Sequence, residues 1–86
     1  MVFLIMRNNS SMKEIREIIH LVLENRGKPH TNSISVASDL RNDFGFDSLD
    51  LAELTVRIEA EYDVDIFQDG VVTTVGEILE KISNKQ

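Results

Sequence analysis

Ser48 is the residue whose position first invites chemistry. It follows Asp47 where a polar, irregular stretch gives way to a regular one, a place that leaves a hydroxyl in solvent. Serine near a helix start is ordinary for capping reasons, so the position alone does not make it reactive. A nucleophilic serine needs a base within hydrogen-bond reach. The two histidines, His20 and His30, fall in or just after the first helical segment, and no G-x-S-x-G elbow surrounds Ser48. If Ser48 reacts, another protein supplies the base. Asp63, Asp65 and Asp69 with Gly70 form a second cluster and invite a calcium-loop reading. That pattern fails at Phe67, Gln68 and Thr74, where a ligand, a glycine and a bidentate glutamate belong. The acidic surface is compatible with loose divalent-cation binding, but no metal site is assigned. His20 and His30 lack ligand spacing, and no glycine-rich phosphate loop is present.

Composition narrows the field. The chain has 86 residues, 15 acidic and 9 basic, a net charge of −6 and no cysteine. That length suits one domain, since domains typically run to roughly 100–150 residues. Without cysteine there is no disulfide framework, no thiolate zinc site and no thiol nucleophile. The acidic balance argues against nucleic acid and anionic membrane and suits partners with basic surfaces. The acid is concentrated. From Asp39 to Asp69 ten acidic residues face only Arg41 and Arg57, a net −8 that leaves about +2 for the remainder. A solvated charged surface is the plain reading of that segment. Met1–Met6 is an apolar run far short of the roughly 20 residues a span needs, and no basic flank precedes it. Residues 1–10 are read as a tail, or as an upstream start ahead of Met6, in preference to a partner anchor. The carrier of any function is then 11–86, with the cytoplasm as default location.

Three helices are expected. Ser11-Met-Lys-Glu14 fits a capping box, and Ile15, Ile18, Ile19 and Val22 follow on one helical face, so the first helix is placed at 12–26, ended by Gly27 and Pro29. Residues 28–47 are irregular, with Ile34, Val36, Leu40, Phe44 and Phe46 spaced singly to tack a long loop onto the core and a single turn at Asp39–Arg41. The second helix starts at an Asp47 N-cap and closes at Asp63-Val-Asp65. Thr74-Val-Gly-Glu77 marks the last helix, and Ile66–Thr73 has room for at most one irregular turn. The fold class is all-α: a small bundle of three main helices plus a short irregular third one.

The second helix carries two apolar faces. At about 100° per residue, Leu51, Leu54, Ile58 and Tyr62 fall within about 80° of one another. Leu49, Ala52, Val56 and Ala60 cluster as tightly on the opposite side, with Asp50, Glu53 and Glu59 flanking them. A bundle helix normally buries one stripe. Either the 34–46 loop covers the second, or it is an exposed apolar strip rimmed by carboxylates, suited to an apolar groove edged by Arg and Lys.

Phe44-Gly-Phe-Asp-Ser-Leu-Asp50, followed by Leu51-Ala-Glu-Leu54, resembles the attachment motif of acyl carrier proteins, whose core reads G-x-D-S-L. Asp39-Leu40, the run Ile58-Glu-Ala-Glu-Tyr-Asp-Val-Asp-Ile66 and Thr73-Thr-Val-Gly-Glu77 match in order and spacing, so the resemblance covers roughly 11–83. It implies a four-helix acyl-carrier bundle and a non-catalytic protein. Ser48 would accept 4'-phosphopantetheine from coenzyme A through a separate Mg²⁺-dependent phosphopantetheinyl transferase, and acyl groups would ride as thioesters on its thiol. The working thiol would thus be borrowed, which accounts for a chain without cysteine. Asp47, Leu49, Asp50, Glu53 and Val56 match positions that meet partner enzymes, here acyl-transferring, ligating or condensing enzymes with basic docking surfaces. The buried stripe would line the interior where some carriers shelter the acyl chain.

Some residues depart from the family pattern. Phe46 stands where a small residue is common, Ile66–Thr73 is short, with Gly70-Val-Val72 in place of an acidic stretch, and Arg57 interrupts the acidic face. These suit a specialised carrier as readily as the one serving fatty-acid synthesis. The expectation is a monomeric acyl carrier. An unmodified adaptor docking through its second helix and a peptidyl or aminoacyl carrier are the alternatives.

Overall fold

The computed structural model describes residues 2–29, 33–68 and 70–85, with side chains from Ser11 to Asn84 within those ranges. Three helices order the chain: α1 (Val2–Asn25), α2 (Ser48–Tyr62) and α3 (Val75–Lys85). α1 packs against both others. Its buried face is the expected one, with Ile15, Ile18, Ile19 and Val22 all closed to solvent. Its start is not the expected one. The helix already runs through Ser11, which is buried in its interior, so Ser11-x-x-Glu14 is not an N-cap. The capping pattern requires a non-helical residue at its first position, and the backbone upstream is helical.

α1 and α2 run antiparallel. Arg26, just past the end of α1, meets Asp50 in the first turn of α2, and the Tyr62 hydroxyl at the far end of α2 donates to Glu14. α2 buries Leu51, Leu54 and Ile58, with Tyr62 partly buried beside them. At about 1.5–3 kcal/mol for each fully buried aliphatic side chain, this stripe decides which way the helix faces. Asp63 ends it in the left-handed region (φ 57°), its N–H donating to the Glu59 carbonyl at 2.8 Å.

Between Tyr62 and Val75 the described residues form no helix; Asp65–Gln68 is a turn, with Gln68 N–H on the Asp65 carbonyl at 3.2 Å. The short third helix is thus reduced to a turn, pinned to the core by Val64 and Ile66. The loop before α2 is tacked down as expected through Ile34, Leu40, Phe44 and Phe46, whereas Val36 is exposed. Its turn is larger than a single Asp39–Arg41 one: Asp43 N–H reaches the Asp39 carbonyl and Gly45 N–H the Arg41 carbonyl, each at 2.9 Å.

The same loop completes α3. Leu40 N–H donates to the Thr73 carbonyl at 2.8 Å, forming an isolated antiparallel bridge between Asp39 and Thr74. Val75 and Gly76 then give their N–H groups to the carbonyls of Ser38 (3.1 Å) and Val36 (2.9 Å). These are first-turn donors that an isolated helix leaves unsatisfied. Thr74 and Glu77 close the expected capping box, with Glu77 N–H on the Thr74 hydroxyl at 3.2 Å and Thr74 N–H on the Glu77 carboxylate at 3.1 Å.

Candidate functional site

Ser48 occupies the first position of α2 and is exposed, immediately after the N-cap. Asp47 and Asp50 form the cap reciprocally. Asp50 N–H donates to Asp47 Oδ1 at 3.0 Å, and Asp47 N–H donates to Asp50 Oδ2 at 2.9 Å. The Asp50 N–H bond holds the Asp47 carboxyl below its ordinary range, against a weaker opposing effect of burial, so Asp47 stays ionised beside the serine. The backbone N–H groups of Ser48 and Leu49 lie ahead of the helix's own bonding pattern, which begins with Leu51 N–H on the Asp47 carbonyl at 3.0 Å.

The expected docking residues separate into three situations. Leu49 and Val56 are 65% and 64% exposed, and Ala52 and Ala60 are exposed with them. The 34–46 loop therefore does not cover the second stripe. Asp47 is exposed beside it. Glu53 is half-buried and occupied: Asn25 Nδ2 donates to its Oε2 at 3.1 Å and Arg57 Nε at 3.0 Å, and these bonds lower its pKa. Asp50 is a correction. It is fully buried, so its carboxylate cannot form part of an exposed rim. Its oxygens are taken by Arg26 Nε at 2.7 Å, by Lys28 Nζ at 3.4 Å and by the Asp47 N–H. A buried carboxylate without such partners would be strongly destabilising, which is why two cations converge on it.

Arg26, Lys28 and Asn25 are residues of the site that the sequence reading did not single out. Their signal was available in type though not in contact: two cations flank Gly27 at the end of a helix, where positive charge is favoured. The Phe46 ring, which stands where a small residue is common in the family, is buried and tilted against Phe44 with centroids 5.5 Å apart. His20 is partly buried in α1, and His30 and Asp69 lie outside the described residues. Among the described residues no group of three or more His, Asp or Glu side chains is arranged to hold a metal ion. No helix there is long and apolar enough to cross a membrane.

The profile of the family described as phosphopantetheine attachment site matches residues 13–82, most of the chain and all of this geometry. The chain belongs to that family. Three acyl carrier proteins illustrate the similarity. That of Picosynechococcus sp. is 35% identical over 75 residues, covering 85% of this chain and 93% of its own. That of Trieres chinensis is 33% identical over 66 residues, 74% of this chain and 82% of its own. That of Amoebophilus asiaticus is 28% identical over 76 residues, 86% and 95% respectively. A phosphopantetheine-attachment protein is a carrier whose prosthetic group, 4'-phosphopantetheine, is covalently bound. The site fits such a group. It offers an accessible primary hydroxyl at a helix N-terminus, where outward N–H groups and the helix dipole favour a phosphate. Gly45, three residues upstream, has open space where a Cβ would stand.

Proposed function

We propose that this chain is an acyl carrier protein in which Ser48 is the acceptor of the prosthetic group. The observation that carries the reading is the exposed hydroxyl at the first position of α2, inside the Gly45-Phe-Asp-Ser-Leu49 motif and beside an exposed apolar face. In the loading step, Ser48 Oγ bonds to the phosphorus of coenzyme A that bears the pantetheine. Adenosine 3',5'-bisphosphate leaves, and the hydroxyl proton passes to a base of the transferase. Once bound, the arm supplies a thiol on which acyl groups are held as thioesters. The chain's own residues present the hydroxyl, fix the backbone that carries it and offer the surface that partners grip.

Leu49 and Val56, with Ala52 and Ala60, are the grip, and Asp47 and Glu53 are the charged residues beside it. The partners are the phosphopantetheinyl transferase and enzymes that load, extend or unload acyl groups. The chain itself is not an enzyme. Its place of work is the cytoplasm.

Incubation with a broad-specificity phosphopantetheinyl transferase, Mg²⁺ and coenzyme A is expected to add about 340 Da to the intact protein. Ser48→Ala is expected to abolish the addition while leaving the circular dichroism spectrum unchanged. A wild-type chain that stays unmodified, or a Ser48→Ala chain that still gains the mass, overturns the assignment.

A further inference from the structure

We propose that Arg26 and Lys28 are positioning residues for Ser48, acting through the buried carboxylate of Asp50; this rests on the reading of Ser48 as the attachment residue. The device begins at the end of α1. Gly27 takes φ 67°, its N–H donates to the Glu24 carbonyl at 3.1 Å, and Lys28 N–H donates to the Leu23 carbonyl at 2.8 Å. This pair of bonds is the Schellman closure, and the left-handed residue at its centre turns the chain sharply away from the helix. It delivers Arg26 and Lys28 together to the start of α2.

Both then converge on one completely buried carboxylate. Arg26 Nε lies 2.7 Å from Asp50 Oδ1, and Lys28 Nζ lies 3.4 Å from Oδ2. Lys28 Nζ also donates to the Gly45 carbonyl at 3.1 Å, and Asp50 Oδ2 accepts the Asp47 N–H at 2.9 Å. The segment from Gly45 to Asp50 is therefore held before, at and after Asp47, and Ser48 lies exposed inside it, between Asp47 and Asp50. A phosphoryl acceptor must bring its oxygen in line at near-attack distance, and small misplacements are expensive in rate. A fixed backbone on either side of Ser48 meets that demand before any partner arrives. The clasp acts on the serine through the backbone, so its loss should appear in turnover more than in binding.

The test is steady-state loading by a broad-specificity phosphopantetheinyl transferase with coenzyme A, run well below the unfolding midpoint of each variant. Arg26→Gln and Lys28→Met are compared with wild type and with Arg26→Lys, and hydrogen exchange of the Asp47 amide is followed by NMR. Arg26→Gln is expected to lower kcat about 10-fold with KM for the carrier within about twofold. The Asp47 amide should lose protection in step, and Arg26→Lys should recover much of the rate. If Arg26→Gln does not fold, Lys28→Met decides by the same criteria. An unchanged kcat in a folded variant whose Asp47 amide has lost protection overturns the proposal. A rise in KM alone does so too, because it makes the cations direct contacts of the transferase. Failure of the wild type to load overturns instead the reading of Ser48.

Discussion

Gly76 shows how one missing methyl group is set by a distant part of the chain. A Cβ at this position would lie 2.9 Å from the Val36 carbonyl oxygen, the same oxygen that accepts the Gly76 N–H. Helix propensity alone favours alanine here by about 0.8–1 kcal/mol. The clash is with backbone, so relief requires the loop to move, at about 1–3 kcal/mol, and endangers a hydrogen bond of about 1 kcal/mol as well. The clash wins. Gly76→Ala is expected to destabilise the fold by about 1–3 kcal/mol, read as a lower urea midpoint at unchanged slope. A higher midpoint would mean that the loop does not approach α3 this closely. The residue scale is also where the sequence misled most. Asp50 looked like a rim carboxylate because its position on the helical wheel falls between the two stripes, and its burial depends on Arg26 and Lys28 in another element. Periodicity reports the face of a helix and carries no information on which distant cation reaches a residue between faces.

At the level of elements, the starts of α2 and α3 both depend on ionised carboxylates. Asp47 is held below its ordinary value of 3.8 chiefly by the Asp50 N–H. Glu77 is held below 4.5 chiefly by the Thr73 hydroxyl, which donates at 2.7 Å. Glu53 is likewise lowered, chiefly by Asn25 and then by Arg57. For groups depressed in the folded state, the stabilisation is complete above the unfolded value and is lost as pH falls through the folded one. Stability should therefore be flat near neutrality from these groups and decline as pH drops below about 4. In Glu77→Gln the acid-side decline should be shallower than in wild type, together with a lower midpoint at pH 7; parallel pH curves would show that Glu77 is not a participant. The caps at Asp47 and Thr74 were legible because each is a local pattern of four residues. The false cap at Ser11 obeyed the same pattern, and what distinguishes it is the helical backbone before it. The contact between Tyr62 and Glu14 had no such signature, since it joins residues of two different helices, although burial and that hydrogen bond together raise the tyrosine pKa.

On the scale of the whole molecule, the arrangement separates what holds the fold from what meets a partner. The contact of Arg26 with Asp50 brings the end of α1 to the start of α2, a junction that a short connection could make. The chain instead spends residues 26–47 on buried anchors, on the first N–H groups of α3 and on the clasp at Asp50. That loop is engaged elsewhere, so the outer stripe of α2 is left bare. The sequence established that two stripes exist and which residues form them; only the path of the loop could show that the second stays open. The consequence is a double dissociation. Leu54 is fully buried, and Leu54→Ala should destabilise by about 2–5 kcal/mol. Leu49→Ala and Val56→Ala remove side chains that are mostly in solvent and should change stability by no more than about 0.5 kcal/mol. If the stripe is the grip, those two changes together should raise the transferase KM for the carrier about 10-fold, the loss typical of an apolar interface anchor. Leu54→Ala, assayed while still folded, should leave KM near wild type. Equal KM values for the double variant and wild type would show that partners dock elsewhere, and a large loss of stability in the double variant would show that the stripe is covered.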